Sequence, residues 1–342
     1  MRKIAFLAAV AATLCTVACN KELPAKIGND NIPTEEVKTR ELTVAITGDG
    51  RMATKSSAAD FDDDLSEVNN IQFFVFEQSG VLDAYKKITS GLSTTITIKS
   101  GGTSTVWAVV NAPDITNVKT LDELKAVTST LLDNASSFVM VGYSVGTLPD
   151  IDDESKPMEI EVKRIASRVL VKKVTAAFSN PAYAAMSCKL VKMFLINAPG
   201  DINLALNSAP TVWYAKQAYE SVSGLNGHLS TNCENHELNT SAFDTYCYHY
   251  CYPNPTNVDS SSATWSARHT RMVIEVQLGD ETFYYPVTMP VLEPGKSYEI
   301  ENLTITRKGT TNPDSPISLF DANFEVSVKE WTVVPVTSGI TI

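Results

Sequence analysis

Short runs of alternating apolar and polar residues recur along the chain and predict a structure made mainly of β-strands. Alternation places every second side chain on one face of a strand, and it is clear in residues 92–98 and 158–162. Residues 106–110 are almost wholly apolar, which predicts a central strand. Turn-forming residues separate these runs. The predicted strands are residues 41–47, 71–76, 92–98, 106–110, 138–143, 158–162, 169–178, 190–196, 246–252, 272–278, 282–287, 298–305, 324–328 and 331–336.

One segment has helical spacing instead. Apolar residues at Leu121, Leu124, Val127 and Leu131 predict a single short crossover helix over residues 121–132. Many short strands separated by turns predict an all-β fold of two tandem β-sandwich domains, residues 41–164 and 165–342. Residues 197–230 are rich in Gly, Ser and Asn and are expected to form a long insertion with little regular structure.

The first predicted strand has an unusual continuation. Leu42, Val44 and Ile46 alternate with small or polar residues, so one face is apolar. Gly48-Asp49-Gly50 ends the strand, and Arg51 follows in a segment open to an arginine-specific protease. Cleavage there would free the strand, whereas an ordinary first strand would stay uncut.

Both ends of the chain carry further signals. Residues 1–18 have the basic start and short apolar stretch of a signal peptide. Residues 16–19 resemble a bacterial lipobox, which implies cleavage before Cys19 and lipidation of that cysteine. Residues 19–40 predict a flexible tether. The tail ends in four apolar residues that share one face of an extended chain: Val334, Val336, Ile340 and Ile342.

Charge and motifs limit the classes of function. The net charge of −11 becomes −13 once residues 1–18 are removed, because Arg2 and Lys3 leave with them. An acidic chain without a basic patch is not expected to bind nucleic acid. Catalytic signatures and phosphate-binding loops are absent from the sequence, so neither an enzyme nor a cofactor is expected. The acidic run at residues 60–64 is expected to be a solvated loop.

Four cysteines follow Cys19 and leave three alternatives open: Cys188, Cys233, Cys247 and Cys251. Cys247 and Cys251 lie roughly 13 Å apart on an extended strand, beyond the reach of a disulfide. Any disulfide must therefore involve Cys188 or Cys233. The alternatives are buried free thiols and a metal site formed by Cys233, His236, Cys247, His249 and Cys251, although the spacing fits no zinc motif. Four tyrosines from Tyr246 to Tyr252 also share a face, either for core packing or for stacking on a sugar.

Several segments in order resemble a known family. They are the lipobox at Cys19, the strand ending at Arg51, and residues 75–76, 109–112, 163–168, 302–306, 309–316 and 328–331. Together they make the chain similar to the Bacteroidales fimbrillins, the type V pilins. The resemblance implies two transthyretin-like sandwiches, export as an outer-membrane lipoprotein, and trimming after Arg51, with Arg40 as a second candidate.

The resemblance also implies a route of assembly. Loss of residues 41–47 would leave a groove where Leu42, Val44 and Ile46 had been buried. The tail of another subunit, with Val334, Val336, Ile340 and Ile342, would fill it as a donor strand. The expected partners are other copies of the chain, the protease, the membrane through the lipid, and a host surface. The alternative is an outer-membrane lipoprotein binding module or an uncut pilus anchor.

Overall fold

The computed structural model describes residues 39–48, 67–99, 102–148, 157–259, 265–317 and 322–331. Strands dominate these residues, so the predicted all-β fold is confirmed. The first half contains β1 (Arg40–Gly48), β2 (Ile71–Glu77), β3 (Leu82–Ile88), β4 (Ser93–Ile98), β5 (Gly102–Val110), α1 (Leu121–Ala126), β6 (Thr128–Thr130), a 3-10 turn (Leu131–Asn134), β7 (Met140–Leu148) and β8 (Met158–Arg164).

Seven of these strands form one sheet with the order β3-β2-β5-β7-β8-β1-β4. Phe73 of β2 and Val44 of β1 are not on neighbouring strands, yet both belong to one buried apolar cluster. The sheet therefore folds over on itself, and its two parts enclose the cluster between them, as the two layers of a β-sandwich enclose a core.

The second half is built from shorter sheets. Its elements are β9 (Ser167–Val171), β10 (Val174–Ala176), α2 (Pro181–Ala184), β11 (Cys188–Ile196), β12 (Ala198–Pro199), β13 (Asp201–Asn203), β14 (Trp213–Tyr214), α3 (Asn226–Leu229), β15 (Ser230–Glu237), β16 (Cys247–Cys251), β17 (Arg271–Leu278), β18 (Glu281–Thr288), β19 (Lys296–Ile300), β20 (Leu303–Ile305), β21 (Ala322–Asn323) and β22 (Val326–Glu330). Two four-stranded sheets have the orders β16-β9-β19-β22 and β15-β11-β17-β18. Smaller sheets join β10, β20 and β21, and pair β12 with β14.

The two halves share a core. A second apolar cluster contains Trp107 and Phe138 from the first half together with Tyr250 and Trp331 from the second. Strand β6 pairs with β13, so backbone hydrogen bonds also join residues on both sides of position 165. The division at residues 164 and 165 coincides with the turn between β8 and β9 and stays a prediction as a domain boundary.

A buried tyrosine reinforces this junction. The Tyr252 hydroxyl lies 2.7 Å from the Ser129 hydroxyl, accepts from Asn134 Nδ2 at 2.8 Å and donates to the Thr130 carbonyl at 3.0 Å. Because Tyr252 is fully buried, these bonds offset the cost of removing its hydroxyl from water. They hold the segment around β6 against the second half.

The predicted helix over residues 121–132 is too long. Thr120 caps α1 through a reciprocal capping box with Glu123, and the helix ends at Ala126. The β-branched residues that follow form β6 because β13 offers a partner strand. The prediction of a single helix is also wrong, because the structure contains two further short helices, α2 and α3. The segment 197–230, expected to have little regular structure, contains the short elements β12, β13, β14 and α3. Among the described residues, no helix has the length and apolar character that a membrane crossing requires.

We expect Gly142→Ala to lower the free energy of unfolding by roughly 3 kcal/mol, because a Cβ there would lie 2.1 Å from the Glu161 carbonyl oxygen on β8. Backbone atoms cannot move aside as a flexible side chain can. Gly227 in α3 is the matched control, since a Cβ there meets nothing within 4 Å. Urea denaturation of both variants checks this expectation, and equal stabilities would contradict it.

Candidate functional site

The first strand lies inside the sheet. Strand β1 pairs antiparallel with β4, from Arg40 opposite Ile98 to Ala45 opposite Ser93. It pairs parallel with β8, from Val44 opposite Met158 to Gly48 opposite Val162. Backbone groups of β1 are therefore engaged on both sides, which is the position of a central strand.

The inward face of β1 fills the core of the first half. Leu42, Val44 and Ile46 are 6%, 0% and 3% exposed. They pack in one cluster with apolar residues from β2, β4, β5 and β8. Glu41 and Thr43 on the opposite face are exposed, and their side chains contact Thr97 and Thr95 of β4. The alternation read from the sequence thus corresponds to one buried and one solvated face.

Strand β4 depends on β1 for its place in the sheet. Within the described residues, β4 stands at the end of the strand order, and its one hydrogen-bonded neighbour is β1. Strand β8 pairs with β7 at Lys163 and Arg164. Along residues 158–162, the strand that pairs with β8 is β1. Without β1, two strand edges and an apolar floor would face each other across a gap one strand wide.

The last described residue is held firmly. The Trp331 ring lies 4.7 Å from the Arg164 guanidinium carbon and 5.1 Å from that of Arg168. It stacks on Tyr250 with ring centroids 5.5 Å apart and meets Phe138 edge-on at 4.7 Å. Cation–π and aromatic contacts of this kind are strongest when they are desolvated, and Trp331 is 3% exposed.

Backbone contacts of Trp331 add to this stack. Its N–H donates to the Gly295 carbonyl at 3.0 Å, and its carbonyl accepts from Arg164 Nη1 at 3.3 Å. Arg164 is the last residue of β8, the strand that borders β1. Trp331, which precedes residues 332–342, is therefore held next to β8, the strand that would form one wall of the gap if β1 were lost.

An ionic cluster supports the strand that leads to Trp331. Glu299 of β19 lies 2.6 Å from Lys329 of β22, 3.0 Å from Lys172 and 3.7 Å from Arg168. Burial would raise the pKa of Glu299, but hydrogen bonds from Lys329 and Lys172 more than offset it and hold the pKa below its usual value. The carboxylate thus stays ionised at neutral pH and binds β22 to β19.

Several predicted site residues lie outside the described residues. They are Cys19, the cleavage site Arg51 and the donor-strand residues Val334, Val336, Ile340 and Ile342. Their predicted roles stay predictions. Arg40, the second candidate for cleavage, is the first residue of β1.

The cysteine and tyrosine alternatives become narrower. In this structure Cys188, Cys233, Cys247 and Cys251 are buried, and no disulfide joins any two of them. The described residues contain no group of three or more His, Cys, Asp and Glu side chains placed to bind a metal ion. Tyr250 and Tyr252 are buried, and Tyr246 is 39% exposed, so the tyrosine face mainly packs in the core.

The sequence did not reveal the stack around Trp331. Residues 163–168 and 328–331 both belong to the segments that carry the family resemblance, but nothing in their spacing indicated that they meet. The one available signal was an aromatic residue directly before an apolar tail. Contacts between residues so far apart in sequence emerge only from the folded structure.

We expect Ile46→Ala to lower the free energy of unfolding by about 2–5 kcal/mol, because it opens a cavity in the core that β1 fills. Thr43→Ala is the matched control on the exposed face of the same strand and should change stability by less than about 0.5 kcal/mol. Thermal unfolding of the uncut chain measures both. Similar small effects would show that β1 contributes little to the core.

Comparison with known proteins places this architecture among solved structures. No family model matches the chain, and no curated protein sequence matches it. A fimbrilin of Porphyromonas gingivalis W83 is similar over 87% of this chain and 99% of its own, with a TM-score of 0.63 and 18% identity. A proposed cell adhesion protein of Bacteroides eggerthii covers 86% of this chain and 96% of its own, with a TM-score of 0.63 and 20% identity.

A third structure extends the comparison. The tip fimbrial protein Mfa3 of Porphyromonas gingivalis, solved with a C-terminal truncation, covers 86% of this chain and 100% of its own, with a TM-score of 0.54 and 13% identity. At these identities the likeness concerns the fold. The resemblance noted in the sequence is confirmed at that level: this chain has the fold of the fimbrilins and cell adhesion proteins of the Bacteroidales.

Proposed function

We propose that the chain is the structural subunit of a surface pilus, assembled by exchange of its first strand for the tail of another copy. One observation carries the proposal. Strand β1 is a central strand with three buried apolar side chains, yet it lies at the start of the described chain and is followed within three residues by Arg51. A strand so placed can be removed by one cut without breaking any other element of the described structure.

The gap left by β1 sets clear requirements for its occupant. The occupant must be extended, must pair with β4 and β8, and must present apolar residues at every second position. The tail supplies Val334 and Val336, then Ile340 and Ile342, on one face of an extended segment. An occupant from another copy makes a head-to-tail contact that does not close, and such contacts build filaments.

The energy involved is large on the scale of domain stability. Burying Leu42, Val44 and Ile46 contributes about 1.5–3 kcal/mol for each side chain, or roughly 5–9 kcal/mol in total. The whole stability of a domain is about 5–15 kcal/mol. A subunit without β1 is therefore strongly driven to accept another strand, while the intact precursor stays monomeric.

Cleavage and strand loss should be separate steps. A cut after Arg51 breaks a bond outside residues 40–48 and leaves every contact between β1 and its neighbours in place. Because β4 has β1 as its hydrogen-bonded neighbour, spontaneous departure of β1 would also free β4. The cut strand should stay bound until a donor strand displaces it.

Export and anchoring complete the proposal. Residues 1–18 direct export, and lipidation of Cys19 holds the precursor at the outer membrane through the tether at residues 19–40. Cleavage after Arg51 breaks the covalent link between the subunit and that lipid, and displacement of the cut strand by a donor strand then releases the subunit into the growing pilus. The pilus then supports adhesion to a host surface.

An uncut pilus anchor, or a lipoprotein binding module that never polymerises, is the second candidate. The observation in its favour is the complete burial of the inward face of β1, since an anchor has to keep its first strand. The two candidates differ in whether cleavage at Arg51 leads to fibres.

We expect the full chain to form fibres after treatment with an arginine-specific protease and the Arg51→Ala variant to remain monomeric. Arg40→Ala is the matched control, because a cut after Arg40 leaves β1 attached, and this variant should polymerise normally. Electron microscopy and size-exclusion chromatography measure the outcome. Fibres from Arg51→Ala at the normal rate would exclude this cleavage site, and no fibres from any cut chain would favour the anchor.

The same samples test the order of events. Before fibres grow, native mass spectrometry of the cut chain should find the N-terminal fragment still bound to the body. A synthetic peptide with the sequence of residues 333–342 should then release it. Immediate loss of the fragment on cleavage would contradict displacement by the donor strand while leaving the subunit assignment intact.

We expect Ile340→Asp combined with Ile342→Asp to abolish fibres, because two charges would enter an apolar groove at a cost of several kcal/mol. The free monomer should keep its melting temperature, because a donor strand is buried in the neighbouring subunit and not in its own. Thr337→Asp with Thr341→Asp adds the same charge on the opposite face of the extended tail and serves as the control. A large loss of monomer stability with normal fibres would mean that these residues are core.

A further inference from the structure

Two buried cysteines lie close together on different sheets. Cys233 is on β15 and Cys247 is on β16, and they are 2% and 3% exposed. The Thr231 hydroxyl of β15 lies 3.3 Å from His249 Nε2 of β16, so the two strands are in side-chain contact. Each cysteine is two residues from one member of this contact and shares its face of the strand.

Both thiols also share a neighbour. The Cys233 sulfur donates to the Thr231 carbonyl at 3.7 Å, and the Thr231 side chain hydrogen-bonds the Cys247 thiol. Burial raises the pKa of Cys233 to about 12, and the nearby Cys247 sulfur adds to that rise. Thr231 therefore lies against both sulfurs, on the side where β15 and β16 meet.

The remaining described thiols lie elsewhere. The Cys188 backbone N–H donates to Glu237 at the far end of β15, 2.8 Å away. Cys251 is on the same strand and face as Cys247, roughly 13 Å along it, which is too far for a disulfide. Of the pairings that the sequence left open for Cys247, the structure therefore favours the one with Cys233.

We propose that Cys233 and Cys247 form a disulfide that fastens β15 to β16 when the chain folds in an oxidising compartment. The two thiols lose two protons and two electrons, one S–S bond forms, and the disulfide of an oxidoreductase or of oxidised glutathione is reduced to two thiols. The chain needs no further co-reactant.

The local backbone allows Cys233 to shift towards Cys247. Strand β15 bulges away from the β11 ladder between Asn232 and His236, so Cys233 is not fixed in register. Glu234 and Asn235 within this bulge adopt the left-handed region with φ of 53° and 57°. A bulged edge strand can shift locally without disturbing the rest of its sheet.

At this location the bond would stabilise the edges of two sheets. Strands β15 and β16 each stand at the end of a four-stranded sheet, and edge strands open more readily than central ones. A covalent link between two edges would close both at once. Because the buried thiols are protonated at neutral pH and shielded from solvent, the bond should form during folding and react slowly afterwards.

The test uses the full chain with Cys15→Ser and Cys19→Ser, so that the four described thiols alone can react. It is refolded with oxidised and reduced glutathione, or with dithiothreitol. Peptide mapping under non-reducing conditions should find Cys233 joined to Cys247 after oxidative refolding. The melting temperature should then be roughly 5 °C higher than in dithiothreitol, the order expected for a loop of this length.

Matched variants separate this bond from general damage to the core. Cys233→Ser and Cys247→Ser should each abolish the difference between oxidised and reduced samples, while Cys188→Ser and Cys251→Ser should retain it. Four free thiols after oxidative refolding, a different cross-linked pair, or the expected pair without a rise in melting temperature would overturn the proposal. Because each chain is compared with itself in two redox conditions, a destabilised variant does not obscure the result.

Discussion

The insertion of β1 between β4 and β8 is the arrangement on which the first half of the molecule depends. The strand closes a sheet, fills a core and supplies the hydrogen-bonded neighbour of β4. In most sandwiches the first strand can lie at an edge, where its loss exposes little. Here the first described strand lies between two others, so the same residues that stabilise the monomer are those whose replacement would join subunits in the proposed pilus.

Local pattern predicted the strands whose two faces differ. The alternation of Leu42, Val44 and Ile46 with polar residues matches their burial, and the apolar run at residues 106–110 lies in the central strand β5. Strand β3 was missed because its residues are half-buried or exposed and include two lysines, as suits an edge. The helix was extended too far because helical spacing continued into β-branched residues that a distant strand recruits.

Contacts between distant segments were beyond such reasoning. Arg164 and Trp331, which are in contact, are separated in sequence by most of the second half, whereas the contacting pair Thr231 and His249 is close in sequence. Whether an arginine is solvated or stacked on an indole depends on where the sheets meet, and that is decided by packing over the whole core. The candidate strand could therefore be named from the sequence, whereas its neighbours β4 and β8 could not.

The stack around Trp331 bears on how a filament would carry tension. Pulling on the tail would load the indole first, and its contacts reach Phe138 and Arg164 in one half and Arg168 and Tyr250 in the other. Force would then spread into both halves at once instead of peeling a single strand from its sheet. Behind the indole, β22 runs antiparallel to β19 over five residue pairs, so a pull along the strand shears these bonds together rather than breaking them one by one. A tail attached in this way would let a thin fibre of such subunits resist flow at the cell surface.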